Sequence, residues 1–307
     1  MKATRATLSP AFLALVLSIS DARGAASGHD VVPLFTPALE QQLQPQSPPF
    51  AAIYRKGGQR LVFIAAEHVF GTTNATTRAV DSGFAAVSPA IVIIEGFPTA
   101  GGEDPPALVA KARSRGTSEA DDYARGEAMY TASVALSRGI HFIGGEPAPE
   151  EQVQGLERRG YTVQDVAFSY LLQGLGQSVR SGEVAAGSQD PELAAAFAHW
   201  AEGFVDQYSL NPPSFEEFSA RYKLMFGVEF MGDKGLAERP TPGKDSAFAR
   251  LIQADMNARD EHLLTTIAKE LALKKRVLVV YGSSHWITLS QALQKRLGKP
   301  TIVGFAD

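Results

Sequence analysis

Four short apolar runs, each closed by an acid or an imidazole, constrain this chain more than any other feature: LVFIAA before Glu67 and His68, IVII before Glu95, HFIGG before Glu146, and VLVVYGSS before His285. Short runs of this kind are strands buried on both faces. Laid side by side in one sheet, they carry residues distant in sequence to a single rim. In an open α/β fold, ligands sit in the crevice outside the carboxyl ends of the strands. The pattern therefore predicts a site together with a fold.

The segments between the runs complete an α/β pattern. AAIYRKGGQRLVFIAA reads as an antiparallel hairpin turning at Gly57 and Gly58, and helices are predicted over residues 72–88 and 118–137. Strands alternating with helices imply a mixed, largely parallel central sheet flanked by helices. From about 150 to 245 the pattern changes to helical stretches at 163–179, 192–208 and 215–226 with no convincing strand. This is a helical insertion or cap over the rim of an α/β domain spanning residues 50–307, a place where substrate selection often resides. A last long helix, 246–271, bears an apolar stripe of Phe248, Leu251, Ile252, Met256, Leu263 and Ile267, with Asp255 and Arg259 inside it and His262 at its margin. A buried guanidinium needs acceptors, so Arg259 either meets carboxylates or a substrate oxyanion at the rim, or snorkels to the surface.

With 45% hydrophobic and 20% charged residues, the 307-residue chain has the composition of a soluble globular protein. Its net charge of -4 and scattered Lys and Arg leave no electrostatic footprint for a nucleic-acid partner. At the amino terminus, Lys2 and Arg5 precede an apolar stretch at 11–19, and small residues follow at Ala22, Gly24, Ala25 and Ala26. Residues 1–24 are thus expected to be a secretory signal and 25–49 an extended lead-in, giving an exported, periplasmic or secreted protein. No segment reaches the roughly 20 apolar residues that a membrane-spanning helix requires. Cysteine is absent, so any metal must be held by nitrogen and oxygen.

The strand-end residues have definite chemical options. Glu95, at the end of a buried run, must be paired, protonated or bound to something. His285 follows Gly282, Ser283 and Ser284, small residues that let backbone approach a ligand closely. Glu67 and His68 line one pocket only if the chain turns after its strand. Glu146 lies between Gly145 and Pro147, a turn position that solvent exposure explains equally well. His68 or His285 could activate a water, with Glu67 or Glu95 orienting the imidazole and Arg259 stabilising an oxyanion or holding the carboxylates. Alternatively His68, Glu95 and His285, with Glu146 as a further donor, form a divalent-metal set suited to Zn²⁺ or Mn²⁺. The HExxH helix that would mark such a site is missing; His199 and Glu202 have only part of its spacing and read as a solvated helix face. Ser283 and Ser284 lack the G-x-S-x-G elbow of a serine nucleophile.

The order of these motifs resembles the superfamily that contains erythromycin esterases, ChaN-like haem-binding lipoproteins, and the TraB and TIKI proteins. AEH is similar to the Gly-Glu-x-His of the first two groups, with Ala66 in place of Gly. GSSH resembles the shared Gly-x-x-His, and MNARDEHLLTTI resembles an Arg-Asp-x-x-Met-Ala helix with Leu263 where Met is usual. The resemblance extends over about 50–304 and implies a two- or three-layer α/β fold with its site at the strand rim. Carried over by position, it assigns Glu67, His68, Glu95, Arg259 and His285 to that site, with Glu146 at a strand end where related sequences often place an acid. Two functions are then expected. One is an exported hydrolase cleaving a peptide or ester bond in a small-molecule or peptide substrate, with or without a divalent metal. The other is a non-catalytic binder holding haem or a metal at the same rim.

Overall fold

Gly57 and Gly58 turn the first hairpin, with φ of 56° and 84°. Positive φ at both central residues is what a two-residue primed turn demands, and glycine adopts it without steric cost. Lys56 pairs with Gln59 across the turn, joining β1 (Phe50–Lys56) to β2 (Gln59–Ala66) in antiparallel register. The computed structural model of the chain describes residues 32–33, 35–68, 73–98, 126–180, 182–189, 191–231, 233–238, 247–274 and 276–305. The expected signal segment, 1–24, lies outside them, as do the first residues of the helices expected at 72–88 and 118–137.

Three further strands, β3 (Ile91–Pro98), β4 (Phe142–Glu146) and β5 (Arg276–Gly282), and a short β6 (Thr301–Gly304) complete the sheet. Their order is β4-β3-β5-β2-β1-β6, with β4, β3, β5 and β2 parallel and β1 antiparallel to both its neighbours. The four strand ends picked out in the sequence are therefore four consecutive strands with their carboxyl ends together. The sheet is mixed and mostly parallel, as expected.

Strand alternation divides the core into two faces. On one, Val62, Ile64, Val92, Ile94, Leu278 and Val280 pack against α2 (Ala75–Val87) and α3 (Glu127–Ser137). On the other, Phe63, Ile93, Val279 and their neighbours pack against α1 (Pro37–Leu43), α8 (Ala247–Lys274) and α9 (Ser283–Leu297). The result is three layers. Within the stretch read as an extended lead-in, α1 closes because Thr36 caps it, accepting from Leu39 N at 3.0 Å, and because Pro37 has no first-turn N–H to satisfy. Neither α9 nor β6 was expected. α9 begins directly at the strand end with no intervening loop, and β6 is a mostly exposed edge strand whose four residues carry little pattern.

Between β4 and α8 lie α4 (Pro149–Glu157), α5 (Val163–Arg180), α6 (Glu192–Tyr208) and α7 (Phe215–Phe226), and no strand occurs there among the described residues. These helices bury a separate aromatic core of Phe168, Phe197, Phe204, Phe218 and Tyr222, each such ring contributing about 1.5–3 kcal/mol. The 28-residue α8 belongs to both cores: Phe248, Leu251 and Ile252 enter the helical one, while Leu263, Ile267 and Leu271 lie against the sheet. Where it passes from one to the other, its buried face turns polar.

Candidate functional site

That polar interval of α8 lies over the carboxyl ends of β3, β4 and β5. Glu95 has the strand parity of Ile91 and Ile93, which face α8. After Ile94 the strand register shifts, and Gly96 takes a φ of 79° that favours glycine. Arg259 reaches across from α8 and grips Glu146 with two prongs, Nε to Oε2 at 2.6 Å and Nη2 to Oε1 at 2.7 Å; Nη2 also donates to Glu95 Oε1 at 3.2 Å. Glu146 accepts further from Tyr281 Oη at 3.0 Å and Gly96 N at 3.3 Å. Of the two sequence options for Arg259, the structure shows the rim carboxylates.

Glu95 is the centre of the cluster. Its Oε2 accepts from Gly282 N at 2.6 Å and stands 3.9 Å from His68 Nε2, while Oε1 stands 3.4 Å from His285 Nε2. Burial by itself raises the Glu95 carboxyl, but His285, His68 and Arg259 outweigh it and hold it well below the ordinary carboxylate range. Glu146 is likewise lowered, burial being overcome by Arg259, and the guanidinium of Arg259 is held above its ordinary value by Glu146 against the cost of burial.

The two histidines repeat one arrangement. His285 Nδ1 lies 2.6 Å from Asp260 Oδ1, and Thr288 Oγ1 donates to the other oxygen of that carboxyl group at 2.6 Å. His68 Nδ1 lies 2.5 Å from Glu127 Oε1. In each, Nδ1 is held by a buried carboxyl group and Nε2 is directed at Glu95. Desolvation pushes His285 down, but Asp260 and Glu95 prevail and lift it to about 10. The hydrogen bond to Glu127, reinforced by Glu95, lifts His68 to about 9. The environments differ: the His285 side chain is 4% exposed, that of His68 62%. His285 is internal and His68 stands at the mouth.

Not every expected residue joins the centre. Glu67 is exposed, and among the described residues its carboxylate makes no hydrogen bond or ion pair; its backbone instead pairs with Thr76 Oγ1. His68 enters because β2 ends at Ala66 and the chain leaves the pleat. His262 sits beside Glu151 at 3.5 Å on a neighbouring face of α8. Glu146 is committed to Arg259, Tyr281 and Gly96 rather than set beside the histidines.

Two carboxyl groups of the cluster are not among the sequence-assigned site residues: Asp260, which lies inside the Arg-Asp motif of α8, and Glu127. Asp260 falls between Met256 and Leu263 at helical spacing, inside the apolar stripe, and that position is a signal sufficient to find it. Glu127 gives none: it opens α3, preceded by Gly126 with a φ of 93°, and meets a histidine 59 positions away. Gly282 matters in a way only geometry reveals, because a Cβ there would lie 2.7 Å from His68 Nε2 and 3.4 Å from Glu95 Oε2.

Together His68, Glu95 and Glu127 place one ligand-capable atom of each within 4.8 Å of the others. Among the described residues no helix is long and apolar enough to cross a membrane. The arrangement as a whole is a rim of carboxyl groups and imidazoles backed by a cationic wall. Comparison with protein-family models, with curated proteins and with solved structures finds no match to this chain.

Proposed function

We propose that the chain is a hydrolase cleaving a peptide or ester bond at this rim, with a divalent cation held by His68 and Glu95. The observation that carries this reading is the doubled arrangement around Glu95. An imidazole fixed at Nδ1 by a carboxyl group presents Nε2 in a set direction, the geometry used by metal-ligating and proton-transferring histidines alike.

The donor set suits a hard or borderline cation. Because His68 Nδ1 is already 2.5 Å from Glu127, too close for both atoms to share one ion, Nε2 is the ligating nitrogen and Glu127 is the group that orients it. Nε2 and Glu95 Oε2, 3.9 Å apart, approach the separation of about 3.4 Å that two ligands of one tetrahedral zinc would have. With His68 bound as a neutral ligand, the four carboxyl groups of Glu95, Glu127, Glu146 and Asp260 face two cationic side chains, Arg259 and His285, and a divalent cation balances the difference. Zn²⁺ or Mn²⁺ fits these ligands. Such an ion, when bound, lowers the pKa of its water and polarises a carbonyl.

The remaining groups have roles of their own. His285 keeps its proton at neutral pH and serves as a fixed positive partner for Glu95 rather than as a base. Arg259 locks Glu146 and Glu95 in place, and its Nη1, which makes no hydrogen bond among the described residues, is the donor open to a substrate oxygen. His68, the exposed imidazole, meets the substrate. The reading places the enzyme outside the cytoplasm, on the strength of its amino-terminal sequence.

Purified full-length protein is to be tested for metal content and for turnover of a peptide and ester library, beside His68→Ala and Glu95→Gln. Turnover that falls about 100-fold or more in both variants and is lost to a chelator is expected. A Soret band without turnover defeats this reading in favour of haem binding, and equal turnover by wild type and Glu95→Gln defeats the site assignment.

A further inference from the structure

β4 and α4 are joined to α8 by two polar rungs one helical turn apart. The first is Glu146 to Arg259, described above. The second is Gln152, whose Nε2 donates to Asp255 Oδ1 at 2.7 Å while its Oε1 accepts from Tyr208 Oη at 2.9 Å. Asp255 and Arg259 are four residues apart on α8, the spacing at which side chains lie one above the other. Tyr208, at the end of α6, belongs to the helical cap: its ring stacks on Phe204 at 4.8 Å and meets Tyr170 edge-on at 5.8 Å. Tyr208 and Asp255 are 6% and 7% exposed, so both polar ends depend on the one amide between them.

We infer that Tyr208, Gln152 and Asp255 form a positioning chain that ties the helical cap to the Arg259–Glu146 pair, an inference whose functional meaning rests on the reading of the rim as a reaction site. The aromatic core fixes Tyr208, Tyr208 fixes the Gln152 amide, and the amide fixes the Asp255 carboxyl one turn from the guanidinium. Asp255 makes no hydrogen bond to Arg259, whose bonds to protein go to Glu146 and Glu95; the two interact through charge, against the burial that raises the Asp255 carboxyl. Gln152 also lines a surface groove with Pro147, Gly155, Ala258 and His262, so the middle link is accessible from outside the rim. A shift of the cap at Tyr208 is thereby passed to the Arg259 fork without direct contact.

The test observes Arg259 directly. In full-length protein labelled with ¹⁵N-arginine, the Nε–H signal of Arg259 is identified by its loss in Arg259→Lys. Tyr208→Phe and Gln152→Leu are expected to displace or broaden that signal, whereas Phe197→Leu, in the cap core but off the chain, leaves it in place. An Nε–H signal unmoved by both chain variants overturns the inference, and so does one moved as far by Phe197→Leu. Should Gln152→Leu fail to fold, Tyr208→Phe, which removes a single oxygen, carries the test alone. Titration of unlabelled wild type with Mn²⁺ separates the two proposals: no binding removes the metal-assisted reading and leaves the chain standing.

Discussion

His285 and Asp260 form a buried pair, Nδ1 to Oδ1 at 2.6 Å, in which the carboxyl group has no solvent exposure and the imidazole side chain only 4%. Breaking a buried pair by removing one partner leaves the other uncompensated, which typically costs 3–5 kcal/mol. Asp260→Ala should therefore lower unfolding stability by about that amount. Denaturant titration checks it, and a loss below about 1 kcal/mol would show the pair to be dispensable.

The same pairing gives stability a pH dependence. The folded values of His285, about 10, and His68, about 9, lie above the ordinary imidazole value of 6.5. A group raised on folding contributes stability that is fully present below its unfolded pKa and is lost as pH rises through the folded value. Denaturation midpoints should thus fall between about pH 6.5 and 10, with His285 providing most of the change because His68 is solvent-screened. His285→Gln should flatten the curve. Midpoints that stay level or rise across this range in the wild type would contradict the assignment.

Arg259 cannot be replaced by a simple cation. Lysine keeps the charge but loses the fork that matches the Glu146 carboxylate. Arg259→Lys is expected to cost about 2–3 kcal/mol, and Arg259→Met more, because Glu146 is then buried without its counter-ion. The double variant Arg259→Met with Glu146→Leu should be less destabilised than the sum of its single changes. Additive losses in a double-mutant cycle would mean that the two residues are not energetically coupled.

Gly282→Ala separates the site from the fold. The new methyl group would press on His68 Nε2, which belongs to an exposed side chain able to swing aside at little cost. Stability should change by less than about 1 kcal/mol, whereas turnover and Mn²⁺ affinity should each drop roughly tenfold or more. Binding calorimetry and the library assay together test this, and unchanged affinity would place the ion elsewhere.

Tyr281 fills the space where a side chain at Gly145 would lie, and its hydroxyl reaches Glu146 at 3.0 Å. Gly145→Ala must move a fully buried ring or the β4 backbone, so a loss of about 1–3 kcal/mol is expected in thermal or denaturant unfolding. A variant as stable as wild type would mean that β4 shifts freely at this point.

The amino-acid sequence determined the layers and the rim. Apolar runs of strand length, a Gly-Gly turn and helical periodicity are local signals, set by which residues tolerate which backbone and which face must leave water. They specified four buried strands, three of the cap helices and the long α8, and they placed acids and imidazoles at the strand ends. The charged interval in the α8 stripe also marked Arg259 as a cation that either meets acceptors at the rim or snorkels to the surface, without deciding which.

Tertiary structure decided which of those residues meet. Strand order is a long-range choice: β5 inserts between β3 and β2, and only that brings His285 and Gly282 beside Glu95. A one-residue difference past the end of β2 turns His68 toward Glu95 and Glu127 and leaves Glu67 outside the cluster, which no periodicity resolves once the pleat has ended. Glu127 has no local signal, because its partner comes from another element. Asp260 could be read as a stripe position but not as the group that holds His285. Local sequence sets where a side chain can point; the packing of distant strands and helices sets what it finds there.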